Sequence, residues 1–167
     1  MTSIPPRRRL RFHTLDQIMG DAMLVGQGPY ERLGTWSLGQ CCDHLAVTMD
    51  YCIDGFPFSV PLPLRIIGPM LKKRMIDPDR GFPSGVKFPK SGRAALEPNA
   101  ISDEQGLAKL QAGIDRLNAE SKRARSPLFG TMTRDEWNML HCNHAALHLS
   151  YLLPIERDDP ASNATRV

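Results

Sequence analysis

Four Ser/Thr-x-x-Gln/Glu signatures, each directly before an apolar stripe of helical period, constrain this chain most. They are Thr14 with Gln17, Ser37 with Gln40, Ser102 with Gln105, and Thr133 with Glu136. In such a capping box the hydroxyl accepts from the amide three residues on, and the Gln or Glu side chain reaches back to the cap's own amide. The first helix is expected to run from Thr14 to about Gly26, with Leu15, Ile18, Met19, Ala22 and Val25 on one face. The second, "SLGQCCDHLAVTMDYCIDG", presents Leu38, Cys42, Leu45, Met49 and Cys52 and closes at Gly55. The third, "SDEQGLAKLQAGIDRLNAESKRA", presents Leu107, Leu110, Ile114 and Leu117. The fourth is expected from Thr133 to Leu153, before Pro154. With no strand alternation and no internal repeat, the expected fold class is all-α, a four-helix bundle.

The length of 167 residues suits a single domain, with a core over 12–154 and a polar tail over 155–167. A net charge of +3 is too small to argue for nucleic acid, and no apolar run is long enough to span a membrane. Expected partners are a small-molecule substrate and, at most, a second copy of the chain as a homodimer. The basic start "MTSIPPRRRLRF" has no apolar stretch after it, so a cytoplasmic location is expected. Cys41, Cys42, Cys52 and Cys142 lack the spacing of a disulfide framework and are expected as free thiols.

Residues 56–101 read differently. Eight of the fourteen prolines fall there, so a long Pro/Gly-rich connection is expected between helices 2 and 3, with one short helix near 63–76. From Arg65 to Arg93 eight basic residues face two acidic ones, a local charge of +6 that leaves the rest of the chain at −3. Such a segment can cover a site and attract an anion, or can simply be solvated.

The fourth helix carries "LHCNHAALHLSY", with three of the five histidines in eight positions. At about 100° per residue His141, His144 and His148 share an arc of about 60°, while Asp135, Asn143 and Ser150 lie opposite. The histidines therefore face the core. Three neutral imidazoles on one buried stripe crowd one another unless they share a cation. His144 and His148 are i and i+4, a spacing that lets two rings converge on one ion. "HAALH" lacks the glutamate of HExxH metalloproteases, and no Glu-x-x-His pair is present. His44 on the second helix is the natural third ligand, and three imidazoles leave a coordination position open. His141, one turn before His144, is read as a pocket or supporting residue. Cys41, three residues before His44, could be a soft ligand. Gln40, Tyr51 and His141 could orient or protonate a substrate. Trp36 and Trp137 are expected to seat helix starts.

"WSLGQCCDHLA" followed by "HCNHAALHLSYL" resembles the DinB/YfiT-like superfamily of four-helix metalloproteins, on Trp36, His44, Asn143, His144 and His148. "RRRLRFHTLDQI" and "FGTMTRDEWNMLHCNHAALHL" look like an uncharacterised branch of it. The resemblance implies a divalent ion, zinc or nickel, held by three histidines. Some members of that superfamily are S-transferases using a low-molecular-weight thiol, and one is a maleylpyruvate isomerase. Here "LHLSY" replaces the commoner "HHRGQ" ending, so substrate contacts there do not carry over. The expected function is a metal-dependent enzyme, thiol S-transferase or hydrolase-like. The alternatives are a metal- or small-molecule-binding bundle without turnover, and a bundle whose histidines merely pack.

Overall fold

The computed structural model describes residues 6–83 and 90–155. Residues 156–167 of the expected polar tail, and Lys87 of the basic segment, lie outside them. The protein is mostly helical, as the all-α expectation requires. In chain order the elements are α1 (Leu15–Gly26), β1 (Tyr30–Arg32), α2 (Leu38–Asp54), α3 (Leu62–Met75), α4 (Lys90–Leu96), α5 (Asp103–Ala119), α6 (Arg134–Leu149) and β2 (Leu152–Pro154).

All four capping boxes form, with both reciprocal hydrogen bonds present at Thr14, Ser37, Ser102 and Thr133. The start of α2 is satisfied further. Leu38 N donates to the Tyr30 hydroxyl, and Gly39 N donates to Asp103 Oδ1 at the first residue of α5. The predicted stripes become the core, with Ile18, Val25, Leu38, Leu45, Met49, Leu110, Ile114 and Leu117 at most 1% exposed.

α2 and α5 lie closest of all the helix pairs. Their backbones meet where both side chains are single hydrogens. A Cβ on Gly106 would stand 2.5 Å from Gly39 Cα, and one on Gly39 would stand 2.5 Å from the Ser102 carbonyl oxygen. α1 and α6 pack against this pair.

Three boundaries differ from the sequence reading. The fourth helix stops at Leu149, and residues 152–154 become a strand paired antiparallel with β1 in the register Tyr30↔Pro154, Glu31↔Leu153, Arg32↔Leu152. Three-residue strands carry no readable alternation, and their partners lie far apart in sequence. The third long helix ends at Ala119, where the Arg123 guanidinium takes the Leu117 and Glu120 carbonyls and Ala124 N donates to Cys52 O. The long connection holds two helices, α3 and the unforeseen α4. α6 is also covered on the face expected to meet water. Asn143 and Ser150 are buried, and Asn143 Nδ2 donates to the Met75 and Asp77 carbonyls at the end of α3.

The glycine contact yields a paired prediction. Gly106→Ala forces the α2 and α5 backbones apart and is expected to destabilise by about 1–3 kcal/mol. Gly20→Ala, at an exposed position of α1 with nothing within 4 Å of the added Cβ, is expected to stabilise by about 0.5–1 kcal/mol. Urea unfolding of both variants checks this, and equal stabilities would contradict the close approach.

Candidate metal centre

His44 is brought by α2, and His144 and His148 by successive turns of α6. Their Nε2 atoms converge. His44 Nε2 lies 3.2 Å from His144 Nε2, and His148 Nε2 lies 2.9 Å from the same atom. One ligating nitrogen from each ring lies within 4.8 Å of the others, so the group could hold a metal ion.

The proton positions sharpen that geometry. His44 Nδ1 is 2.6 Å from the Leu96 carbonyl oxygen. A carbonyl only accepts, so the His44 proton sits on Nδ1 and its Nε2 presents a lone pair. With one proton per neutral ring, no assignment gives both Nε2 contacts a linear hydrogen bond, and at least one lone pair faces another nitrogen. A cation at the centre relieves this. Tetrahedral bonds of about 2.0–2.1 Å put ligand nitrogens about 3.3 Å apart, close to the 3.2 and 2.9 Å of the two pairs that meet at His144. The Leu96 carbonyl supplies the outer hydrogen bond that fixes the tautomer of a ligating imidazole.

The histidines are held neutral. Burial lowers the pKa of His44, with the Leu96 carbonyl and Asp43 opposing. Burial, then the positive charge its histidine neighbours would carry, drives His144 well below the ordinary value. Burial and His44 bring His148 down to about 3. His141 is also brought down to about 3, by burial and then by the Arg123 charge.

Two features behind the group escaped the sequence reading. Asp43, fully buried, accepts from Asn99 N, Asn99 Nδ2 and Lys109 Nζ. Burial alone would raise its pKa, but Lys109 and Asn99 outweigh it and hold the carboxyl below its ordinary value. An acid inside the apolar window "CCDHLA" was the available signal. The second is α4, whose last residue supplies the carbonyl on His44. Seven residues without a capping box gave it no signature.

The remaining expected residues are distributed as follows. Gln40 Oε1 accepts from Ser37 N and caps α2. The Tyr51 hydroxyl donates to the Ala95 carbonyl and tethers α4. Cys41 lies in the core, outside the histidine group, its thiol pushed up to about 12 by burial and then by Asp103. The cysteines are free and buried. Trp36 does more than seat a helix. Its ring stacks on His148 at 5.1 Å and leans on His44 at 4.9 Å. Trp137 is buried and stacks on His141 at 5.8 Å and Phe56 at 6.0 Å.

The group opens on a cavity of about 770 Å³, lined by His44, His141, His144 and His148 and otherwise largely by aromatic and aliphatic side chains. Trp137 Nε1 and His141 Nε2 are buried in its wall without a hydrogen-bond partner among the described residues. Part of the basic segment reaches this cavity, because Lys90 and Arg93 of α4 line it. Elsewhere Lys72 pairs with Glu136 and Arg80 with Asp77.

No curated protein and no solved structure matches the chain. The family described as "Protein of unknown function (DUF1569)" matches residues 5–155. On a match that spans nearly its whole length, the chain belongs to the DUF1569 family.

Proposed function

We propose that this protein is a metal-dependent enzyme of the DinB/YfiT-like type, with α1, α2, α5 and α6 as its four bundle helices. The single observation that carries this reading is the convergence of the His44, His144 and His148 Nε2 atoms beside a ligand-sized cavity. Three neutral imidazoles suit zinc or nickel. A divalent ion held there supplies Lewis acidity and lowers the pKa of a water or thiol. The chain's own residues do the rest. His44, His144 and His148 bind, and the Leu96 carbonyl and Trp36 orient them. The aromatic walls exclude water. His141, buried and neutral, stacks on Trp137 and forms part of the cavity wall. Thiol transfer and hydrolysis both fit this arrangement.

Elemental analysis tests the ligand set. One divalent ion per chain is expected, with affinity falling more than about 100-fold in His44→Ala, His144→Ala or His148→Ala, and by about 10–100-fold in Asp43→Asn, which loosens the segment behind Leu96. His13→Ala, at an exposed site, should bind normally. Full occupancy in the His144→Ala variant would refute the site. A turnover screen with thiol and ester substrates on metal-loaded protein, repeated on His141→Gln, reads activity separately from binding.

The metal-free protein should itself be acid-sensitive. All four folded imidazole pKa values lie below the unfolded value of about 6.5. The unfolded chain therefore takes up protons first. Stability is complete above about pH 6.5 and is lost as pH falls towards the folded values, with each histidine contributing a slope of up to about 1.4 kcal/mol per pH unit. Urea unfolding between about pH 7 and 5, a range above most carboxylate titration, should show a steep decline. His141→Leu should lower that slope by about one proton. A flat profile would refute the buried neutral state.

A further inference from the structure

The cavity beside the histidines has two chemically distinct ends. Its walls are apolar and largely flat. Phe56 and Trp137 stack nearly parallel at an interplanar angle of 13°, Phe82 lies against His144 with centroids 5.2 Å apart, and Leu128, Leu140 and Leu147 are among the aliphatic residues of the lining. Its solvent end is cationic. Lys90 and Arg93 are exposed residues of α4 that line it, and neither forms an ion pair among the described residues. Among the described residues Glu97 is the one acidic residue lining it, so positive charge exceeds negative there.

We propose that this cavity takes a flat apolar molecule bearing an anionic group, with the apolar body between the aromatic walls and the anion held at the mouth by Lys90 and Arg93. The proposal rests on reading the cavity as the substrate chamber of the histidine site. A volume near 770 Å³ is within the range that encloses one drug-sized molecule. Flat rings are favoured because aromatic side chains gain offset-stacking energy as well as burial. A strongly polar body would lose its hydration against these walls without replacement hydrogen bonds. An organic cation would meet the Lys90 and Arg93 charges on entry, whereas an anion is drawn in by them. His44 is buried while Lys90 and Arg93 are exposed, so a molecule held by its anion at the mouth points its apolar body towards the histidines.

Two dyes of similar shape test this on the metal-loaded protein at low salt: anionic 1-anilinonaphthalene-8-sulfonate and uncharged N-phenyl-1-naphthylamine. Both should bind at one site. Replacing Lys90 and Arg93 together by alanine should weaken the sulfonate by about 5-fold or more and change the uncharged dye by less than about twofold. Ala94→Trp, at an exposed position that lines the cavity, should obstruct it and weaken binding of both. The exposed apolar face of α3 is a rival site for such dyes, so Ile66→Glu with Met70→Glu should leave binding unchanged. Removing the metal with a chelator should preserve sulfonate binding, which separates failure of the chamber from failure of the metal reading. Unchanged sulfonate affinity in the Lys90/Arg93 double variant, unchanged binding in Ala94→Trp, or loss of binding in the α3 variant would each overturn the proposal.

Discussion

The buried Asp43 carboxylate is the constraint around which the site is organised. A charge at full burial is tolerated only when it is paired and hydrogen-bonded. Asp43 meets that demand with groups from two other parts of the chain, Lys109 of α5 and Asn99 between α4 and α5. Satisfying it therefore ties α2 to α5 and pins the stretch that follows α4. The next residue is His44, and the carbonyl on its Nδ1 belongs to Leu96, three residues before Asn99. The orientation of one imidazole is thus traceable to a neighbouring carboxylate that never touches the histidine group.

The glycine pair acts at the same joint. Gly39 and Gly106 let the first turns of α2 and α5 touch backbone to backbone, and Asp103 at the start of α5 accepts from Gly39 N while Tyr30 bridges to it. Close approach at these ends brings Lys109, one turn further on, within reach of Asp43. On the other side α6 carries His144 and His148, and the amide of Asn143, next to His144 in sequence, holds the end of α3. Site and scaffold share these contacts, so changes that loosen the helix pair are felt at the imidazoles.

The electrostatics of the site are those of a group of neutral ligands that could hold a cation. Its four histidines are kept neutral by burial. The Asp43 carboxylate, next to His44 in sequence, is already engaged by Lys109 and Asn99. The side chains carrying net positive charge stand at the solvent end of the cavity. Neutral lone pairs inside and cations at the mouth are compatible with one molecule that meets both, a metal ligand or reactive group at one end and an anion at the other.

Much of this was legible in the sequence because it is local. Capping boxes act within four residues, and apolar periodicity reports which face of a helix is buried. The starts of α1, α2, α5 and α6, and the shared arc of His141, His144 and His148, could therefore be read directly. Pairing His44 with the α6 histidines drew on two helices facing one core and on the resemblance carried by Trp36, His44, Asn143, His144 and His148. What tertiary structure decided are the contacts between segments far apart in sequence. α4 exists where the Tyr51 hydroxyl and the His44 ring meet its Ala95 and Leu96 carbonyls, and it has no signature of its own. The last turn expected of α6 became a strand because residues 30–32 offered it a partner. Trp36 became a wall of the histidine group because the α2 start lies beside His148. Asp43 was visible as an acid in an apolar window, but its role depended on Lys109 and Asn99, more than fifty residues away. Local hydrogen bonding and periodicity are properties of neighbouring residues, whereas satisfying a buried charge or orienting an imidazole depends on which distant backbone the fold delivers to it.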